Sequence, residues 1–188
     1  VPEDGFPNGR MLGALWEGAN PAIALPGIAA ASGSGYASEA NAINDPGQIV
    51  GTCSVGNSIT VRHACRWGVG GSGPTDLGTL GGTTSEGQDL DAAGRVVGWS
   101  QLAPAPGQQS GPMRAFVWNG AMQELSLPDG ATSSRAYGIN ESGDVVGTAW
   151  TPGGGSDLQG ERATLWRNGQ AIDLNDLLPA GSPWHLVR

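Results

Sequence analysis

The sequence predicts an all-β fold built from tandem four-stranded repeats, propeller-like, with an incomplete final blade. Three observations predict it. A strand-like segment ending in tryptophan recurs as Ala14-Leu15-Trp16, Ala64-Cys65-Arg66-Trp67, Ala115-Phe116-Val117-Trp118 and Ala163-Thr164-Leu165-Trp166, with the tryptophans 51, 51 and 48 residues apart. A second segment runs in phase with the first, from Ile43-Asn44-Asp45-Pro46-Gly47 to Ile49-Val50-Gly51, from Leu90-Asp91-Ala92-Ala93-Gly94 to Val96-Val97-Gly98, and from Ile139-Asn140-Glu141-Ser142-Gly143 to Val145-Val146-Gly147. Finally, 33 glycines and 13 prolines against a charged fraction of 14% supply many turns, and the Lys, Glu, Leu and Ala spacing of a helical bundle is absent. Four short strands and a period near 50 residues match a propeller blade, because packed blades bury apolar faces that one pair of hairpins cannot bury.

Each element of the repeat has its own local reason. The Ala-to-Trp segment has the aromatic and apolar content of a short strand. A glycine or an Asn-Gly pair follows it, as in Asn119-Gly120 and Asn168-Gly169, and turns the chain back in a tight type I′ hairpin. The returning strands are Ala121–Leu125 and Gln170–Leu174, with Pro74–Leu77 in the second unit. A Gly-rich connection over 76–85 follows, whose glycines allow bends and close backbone passage; it lacks the Lys-Ser/Thr ending of a phosphate-binding loop. Asn44, Asp91 and Asn140 then open a type I turn that a left-handed glycine closes three residues on, and their short side chains bond back to the backbone. The Ile/Val-Val pair after it favours a sheet, and the glycine ending it permits a close approach or a bulge.

The N-terminal stretch 1–10 reads as an extension, since its prolines and turn residues oppose a central strand, and 11–188 as a β-repeat domain of three complete repeats and a partial fourth. The fourth stops before another Asn-x-x-Gly hairpin. Three arrangements follow: a fragment of a larger propeller, a half-ring completed by self-association with another copy, or an open or four-bladed monomer.

Trp16, Trp67, Trp118 and Trp166 share one phase, so they read as a packing residue of each unit rather than a ligand platform. Trp99 and Trp150 follow the Val-Val-Gly segments, close to loops, and are the candidate partner-binding residues. Cys53 and Cys65 lie on opposite arms of a hairpin whose turn contains Gly56-Asn57-Ser58. That placement permits a disulfide if the register brings their Cβ atoms together, with free buried thiols as the alternative; an oxidised pair favours an extracytoplasmic location. With His63 and His185 as the only histidines, a metal site has little to build on, and no metal or cofactor is expected.

The formal net charge of −8, without a Lys/Arg cluster, repels phosphates and argues against nucleic acid as a partner. No apolar stretch is long enough to cross a bilayer, so membrane insertion is not expected. For catalysis, no Gly-x-Ser-x-Gly elbow accompanies either histidine. The carboxylates Asp76 and Asp173 form a conceivable glycosidase pair, but their similar positions within repeats suit the capping of strand ends.

Taken together, the Ala-Phe-Val-Trp and Ile-Asn-x-x-Gly-x-Val-Val-Gly motifs and Asp76-Leu77-Gly78-Thr79-Leu80-Gly81-Gly82 make the chain resemble the HAF repeat family of extracellular bacterial proteins, from about Met11 to Leu178. The resemblance implies a secreted or cell-envelope β-rich array, with no catalytic constellation to carry over. The second unit departs from it at Leu90-Asp91-Ala92-Ala93, the third at Leu125-Ser126-Leu127-Pro128, and the fourth in lacking its second half. The expected function is a noncatalytic extracellular or envelope module, structural or protein-binding, presenting the loops 103–110 and 151–158. The alternative is a secreted hydrolase or a carbohydrate-binding protein with a site between blades.

Overall fold

The computed structural model describes residues 11–28, 37–56, 60–151 and 160–187. The N-terminal extension, the centre of the turn at Asn57-Ser58 and most of the loop 151–158 lie outside the described residues. The described chain is all-β. Its strands are β1 (Gly13–Leu15), β2 (Ile23–Leu25), β3 (Ser38–Ile43), β4 (Ile49–Ser54), β5 (Arg62–Trp67), β6 (Pro74–Asp76), β7 (Gly81–Leu90), β8 (Val96–Leu102), β9 (Met113–Trp118), β10 (Met122–Glu124), β11 (Ser133–Ile139), β12 (Val145–Trp150), β13 (Arg162–Arg167) and β14 (Gln170–Asp173).

Antiparallel neighbours join β1–β2, then β3 to β6, β7 to β10 and β11 to β14 in chain order, so a leading hairpin precedes three up-and-down meanders. The sheets are not propeller blades. Among the described residues there are three, of two, eight and four strands, and none closes or curls into a ring. The first two meanders merge edge to edge through a parallel pairing of β5 with β7 at Arg62–Thr84, which gives an open sheet of eight. Periodicity reports strands and their turns; it does not report which edges meet, and that pairing is what separates this sheet from a set of blades. The incomplete unit is also not the final one. Strands β13 and β14 complete the four-stranded sheet begun by β11 and β12, and among the described residues the sheet with two strands is the leading hairpin β1–β2. The tryptophan motif marks the third strand of a meander, so counting units from it places every boundary in mid-sheet.

The Asx turns form as their residues dictate. The backbone carbonyls of Asn44, Asp91 and Asn140 accept from the N–H of Gly47, Gly94 and Gly143 at 2.8, 3.0 and 2.9 Å. Their side-chain oxygens accept from the N–H of Gln48, Arg95 and Asp144 at 2.8, 2.9 and 2.9 Å. Gly47, Gly94 and Gly143 sit at φ of 85°, 80° and 85°, in the region that penalises a Cβ. Of the two Asn-Gly hairpins only Asn168-Gly169 is the expected two-residue turn, with φ of 52° and 77° between paired Arg167 and Gln170. At Asn119-Gly120 the register instead pairs Trp118 with Met122 and leaves three residues in the loop.

A bulge recurs at one place in each meander, where Asn41, Gln88 and Tyr137 are the extra residues. Opposite each bulge sits the glycine of the Val-Val-Gly motif. A Cβ on Gly51, Gly98 or Gly147 would collide with the carbonyl oxygen of Glu39, Glu86 or Arg135. The motif glycine is therefore required by the bulge of its own sheet.

The core lies in three seams between successive units. Leu25 packs with Ile49, Cys53, Cys65 and Trp67 in the first. Val50, Ala64 and Leu77 meet Leu90, Val96 and Phe116 in the second. Val97 and Ala115 meet Ala136, Val145 and Trp166 in the third. Of each pair after the Asx turn, the first residue faces the preceding unit and the second the following one. A serine at the start of each meander ties the seam: Ser38, Ser85 and Ser134 accept from the N–H of Gly13, Ala64 and Ala115 at 3.0, 2.8 and 2.9 Å. In the last meander the equivalent Ala163 N–H donates at 3.0 Å to the carbonyl of Leu186, so the C-terminal segment fills the place of the next serine.

The four repeated tryptophans share a position but not an environment. Trp67 and Trp166 are buried, and their Nε1 atoms donate to the carbonyls of Pro26 and Ser126 at 2.9 and 2.6 Å in the preceding unit. Trp118 lies in its seam under the Arg66 guanidinium, 4.9 Å from the ring centre. Trp16, on the leading hairpin, is 68% exposed.

Candidate interaction surface

Trp99 and Trp150 end up beside each other although they lie on different meanders. Trp99 is in β8 and Trp150 ends β12, and both strands run toward the long loops that lead to β9 and β13. Between the two rings lies the side chain of Arg135 on β11, its Cζ 5.1 Å from the Trp99 ring centre and 5.6 Å from that of Trp150. The register explains the approach. Arg135 pairs with Thr148 and Ser133 with Trp150, so Arg135 and Trp150 are diagonal neighbours on one face of the third meander. Ser134 and Ala136 on the opposite face meet the second meander, and because β11 is the edge strand of its sheet the long Arg135 side chain still reaches Trp99 there. Met113, at the start of β9, closes the group, its Sδ 3.3 and 3.0 Å from Arg135 Nε and Nη2. Next to it, Arg114 pairs with Glu124 at 2.7 Å and also donates to the Thr132 carbonyl. Both indoles are half-buried, and residues 103–110 beside them are exposed. A guanidinium over an indole face contributes about 0.5–2 kcal/mol, so the clamp also ties the third seam.

Sequence reasoning named both tryptophans and missed Arg135. A signal was present: the equivalent positions of the other meanders hold Glu39 and Glu86, so Arg135 reverses the charge at one point of the repeat.

Cys53 and Cys65 are joined in a disulfide with Cα atoms 6.0 Å apart, and both are fully buried. Cys65 pairs across the ladder with Gly51 and Cys53 with His63, so the bond runs diagonally between β4 and β5. A buried disulfide belongs to an oxidising, non-cytoplasmic compartment.

The groups considered for catalysis are engaged elsewhere. His63 Nδ1 lies 2.9 and 3.0 Å from the two carboxylate oxygens of Asp76, which also accepts the Gly78 N–H at 2.8 Å. Burial raises the Asp76 pKa, but these bonds and the charge of His63 outweigh it and hold the carboxyl below its ordinary value. Asp173 caps the 3-10 turn at Leu174–Leu177 through the Asn175 N–H and pairs with Arg162 at 3.0 Å. Burial raises its pKa too, and the Asn175 bonds and Arg162 more than offset it. Asp76 and Asp173 are on the last strands of the first and third meanders, with the second stacked between them. His185 is exposed on the C-terminal segment. A 370 Å³ groove at the third seam is lined by Arg95, Glu124, Trp166 and Asn168 among others; it brings one carboxylate and no histidine. Among the described residues no three His, Cys, Asp or Glu side chains gather as metal ligands do, and no helix is long and apolar enough to cross a membrane.

These carboxylates predict a pH dependence. Arg167 holds Asp144 below its ordinary value as well. A carboxyl whose folded pKa lies under the unfolded value of about 3.9 contributes stability that is fully present above that value and is lost as pH falls through the folded one. The urea midpoint is therefore expected to stay level from about pH 6 to 5 and to drop below about pH 4. Asp173→Asn should flatten that acid limb. A variant losing stability as steeply as the wild type would remove Asp173 from the cause.

In comparisons with protein-family models, with curated proteins and with solved structures, nothing matched the chain.

Proposed function

We propose that the chain is a noncatalytic extracellular or cell-envelope module that binds protein through the loop end of its second and third meanders. The observation that supports this reading is the Trp99–Arg135–Trp150 clamp with Met113 beside it, next to the exposed 103–110 loop. Trp, Arg and Met are the side chains enriched where proteins meet, and an anchor already held by its neighbours loses little freedom on binding. Carbohydrate is the weaker reading because sugar stacking needs an open ring face. The faces these indoles turn to each other already hold Arg135. The disulfide and the HAF-like motifs favour an extracellular or envelope setting, and the engaged Asp76, Asp173 and His63 favour a scaffold over a hydrolase.

The test is binding of the immobilised chain to individually purified secreted and envelope proteins and to a glycan array, with Trp99→Ala and Trp150→Ala alongside the wild type. Saturable protein binding that weakens about tenfold or more in either variant, with near-UV circular dichroism retained, is the expected result. Saturable glycan binding lost in the same variants would transfer the site to carbohydrate. Turnover of chromogenic ester or glycoside substrates would overturn the noncatalytic reading.

A further inference from the structure

The two ends of the stack carry opposite halves of the contact that the chain makes internally. In the second seam Val50 and Arg66, cross-strand neighbours, face the next unit, and in the third Val97 and Val117 do the same. What meets them is the tryptophan side of the following unit, with Trp118 in one case and Trp166 in the other. On the third meander the equivalent neighbours are Val146 and Leu165, with Ile172 paired beside Leu165. Val50 and Val97 are fully buried, whereas Val146 is 48% exposed and borders an open 340 Å³ hollow with Leu165 and Ile139. At the other end, Trp16 occupies the position of Trp118 and Trp166 and is 68% exposed, just past β1, while Ala22 before β2 and Ala24 on it are exposed as well.

We propose that the partly exposed Val146–Leu165–Ile172 face of the third meander, on which Val146 is exposed and Leu165 and Ile172 half-buried, binds the Trp16 side of the leading hairpin of a second copy of this chain, head to tail. The interior seams supply the pattern. Trp67 and Trp166 donate to the carbonyl of the residue after a buried or half-buried leucine, Pro26 after Leu25 and Ser126 after Leu125. Asn175 after Leu174 holds the equivalent carbonyl; it accepts the Leu178 N–H at 3.1 Å, and a carbonyl oxygen has a second lone pair for the Trp16 indole of the incoming copy. The C-terminal segment is also compatible with this occupant. Leu186 fills the slot that an incoming meander's first-strand serine would need. The leading hairpin, among the described residues, consists only of the third- and fourth-strand equivalents and brings no such serine. A second copy therefore docks without displacing that segment.

This contact specifies one partner for the interaction module proposed above and rests on that reading, but its own residues are not those of the clamp, although Trp150 ends the strand and shares the face that carries Val146. Since the two surfaces differ, the association is heterologous and adds copies in series. A half unit covers only part of the face, below the roughly 1,200 Å² of stable interfaces, so the expected affinity is micromolar or weaker. Sedimentation velocity of the oxidised chain should show a weight-average mass that rises with concentration up to about 500 µM. Trp16→Ala and Val146→Glu should each abolish the rise, and an equimolar mixture of the two should restore a dimer and nothing larger. A constant monomer mass for the wild type over that range overturns the proposal without recourse to any variant. A symmetric dimer indifferent to both substitutions overturns it as well. Trp99→Ala, on the second meander, should leave the self-association intact, so loss of binding to other proteins and loss of self-association are separable results.

Discussion

Gly98→Ala is expected to destabilise the chain by about 3 kcal/mol, an overpacking cost set by backbone that cannot move aside. The added methyl would meet the carbonyl of Glu86, which the bulge at Gln88 pushes toward β8. Relief requires that bulge to be undone. Undoing it shifts the register of β7 against β8 and carries Leu90 out of the second seam. Gly120→Ala separates this steric effect from backbone strain alone. Gly120 has φ of 83° with nothing near its missing Cβ, so the left-handed conformation is the whole penalty, about 1 kcal/mol. Urea titration followed by near-UV circular dichroism compares them. If Gly98→Ala costs no more than Gly120→Ala, the close approach is not what selects the motif glycine. Gly51 and Gly147 carry the same collision and should rank with Gly98.

Trp67→Ala is expected to cost about 4 kcal/mol, and Trp16→Ala, at the same position of the repeat, less than about 0.5 kcal/mol in the monomer. Trp67 fills the first seam against Leu25 and the disulfide, and its removal leaves a cavity and the Pro26 carbonyl without its donor. Trp16 loses little because most of its ring already faces solvent. Thermal melts of dilute protein, where association does not contribute, measure both. A large loss for Trp16→Ala would mean that the hairpin packs more tightly than its exposure implies.

That contrast marks the boundary of what the residues disclose. Local chemistry was legible: Asn44, Asp91 and Asn140 announce their turns, and the turns form with the expected glycine and Asx bonds. The pairing of Cys53 with Cys65 was legible as a permitted geometry, and the register of β4 with β5 supplied the missing condition. What could not be read is anything that depends on which neighbour a unit has. Trp16 and Trp67 stand in nearly the same local motif and differ in burial because one has a unit in front of it and the other does not. The propeller reading failed for the same reason. Strand spacing is a property of one unit, whereas the merging of two meanders through Arg62 and Thr84 is a property of their edges. The clamp shows both sides. Trp99 and Trp150 were selected for lying near loops, a local cue, but the residue that joins them comes from a different strand and meets Trp99 only across a seam.

The seam serines have a consequence for how such an array can vary. Ser38, Ser85 and Ser134 fix the spacing of successive units from the first strand of each meander, at the base of the sheet connections. The segments between second and third strands hold none of these serines. They run over 55–61, 103–112 and 151–161, differing in length and composition while the stacking contact repeats. On the binding role proposed above, geometry and recognition would thus be written largely in separate stretches of the chain. Under that role, insertions or exchanges in the second set would change what the surface meets while leaving the seam serines in place, so the stack would serve as a display frame with interchangeable inserts.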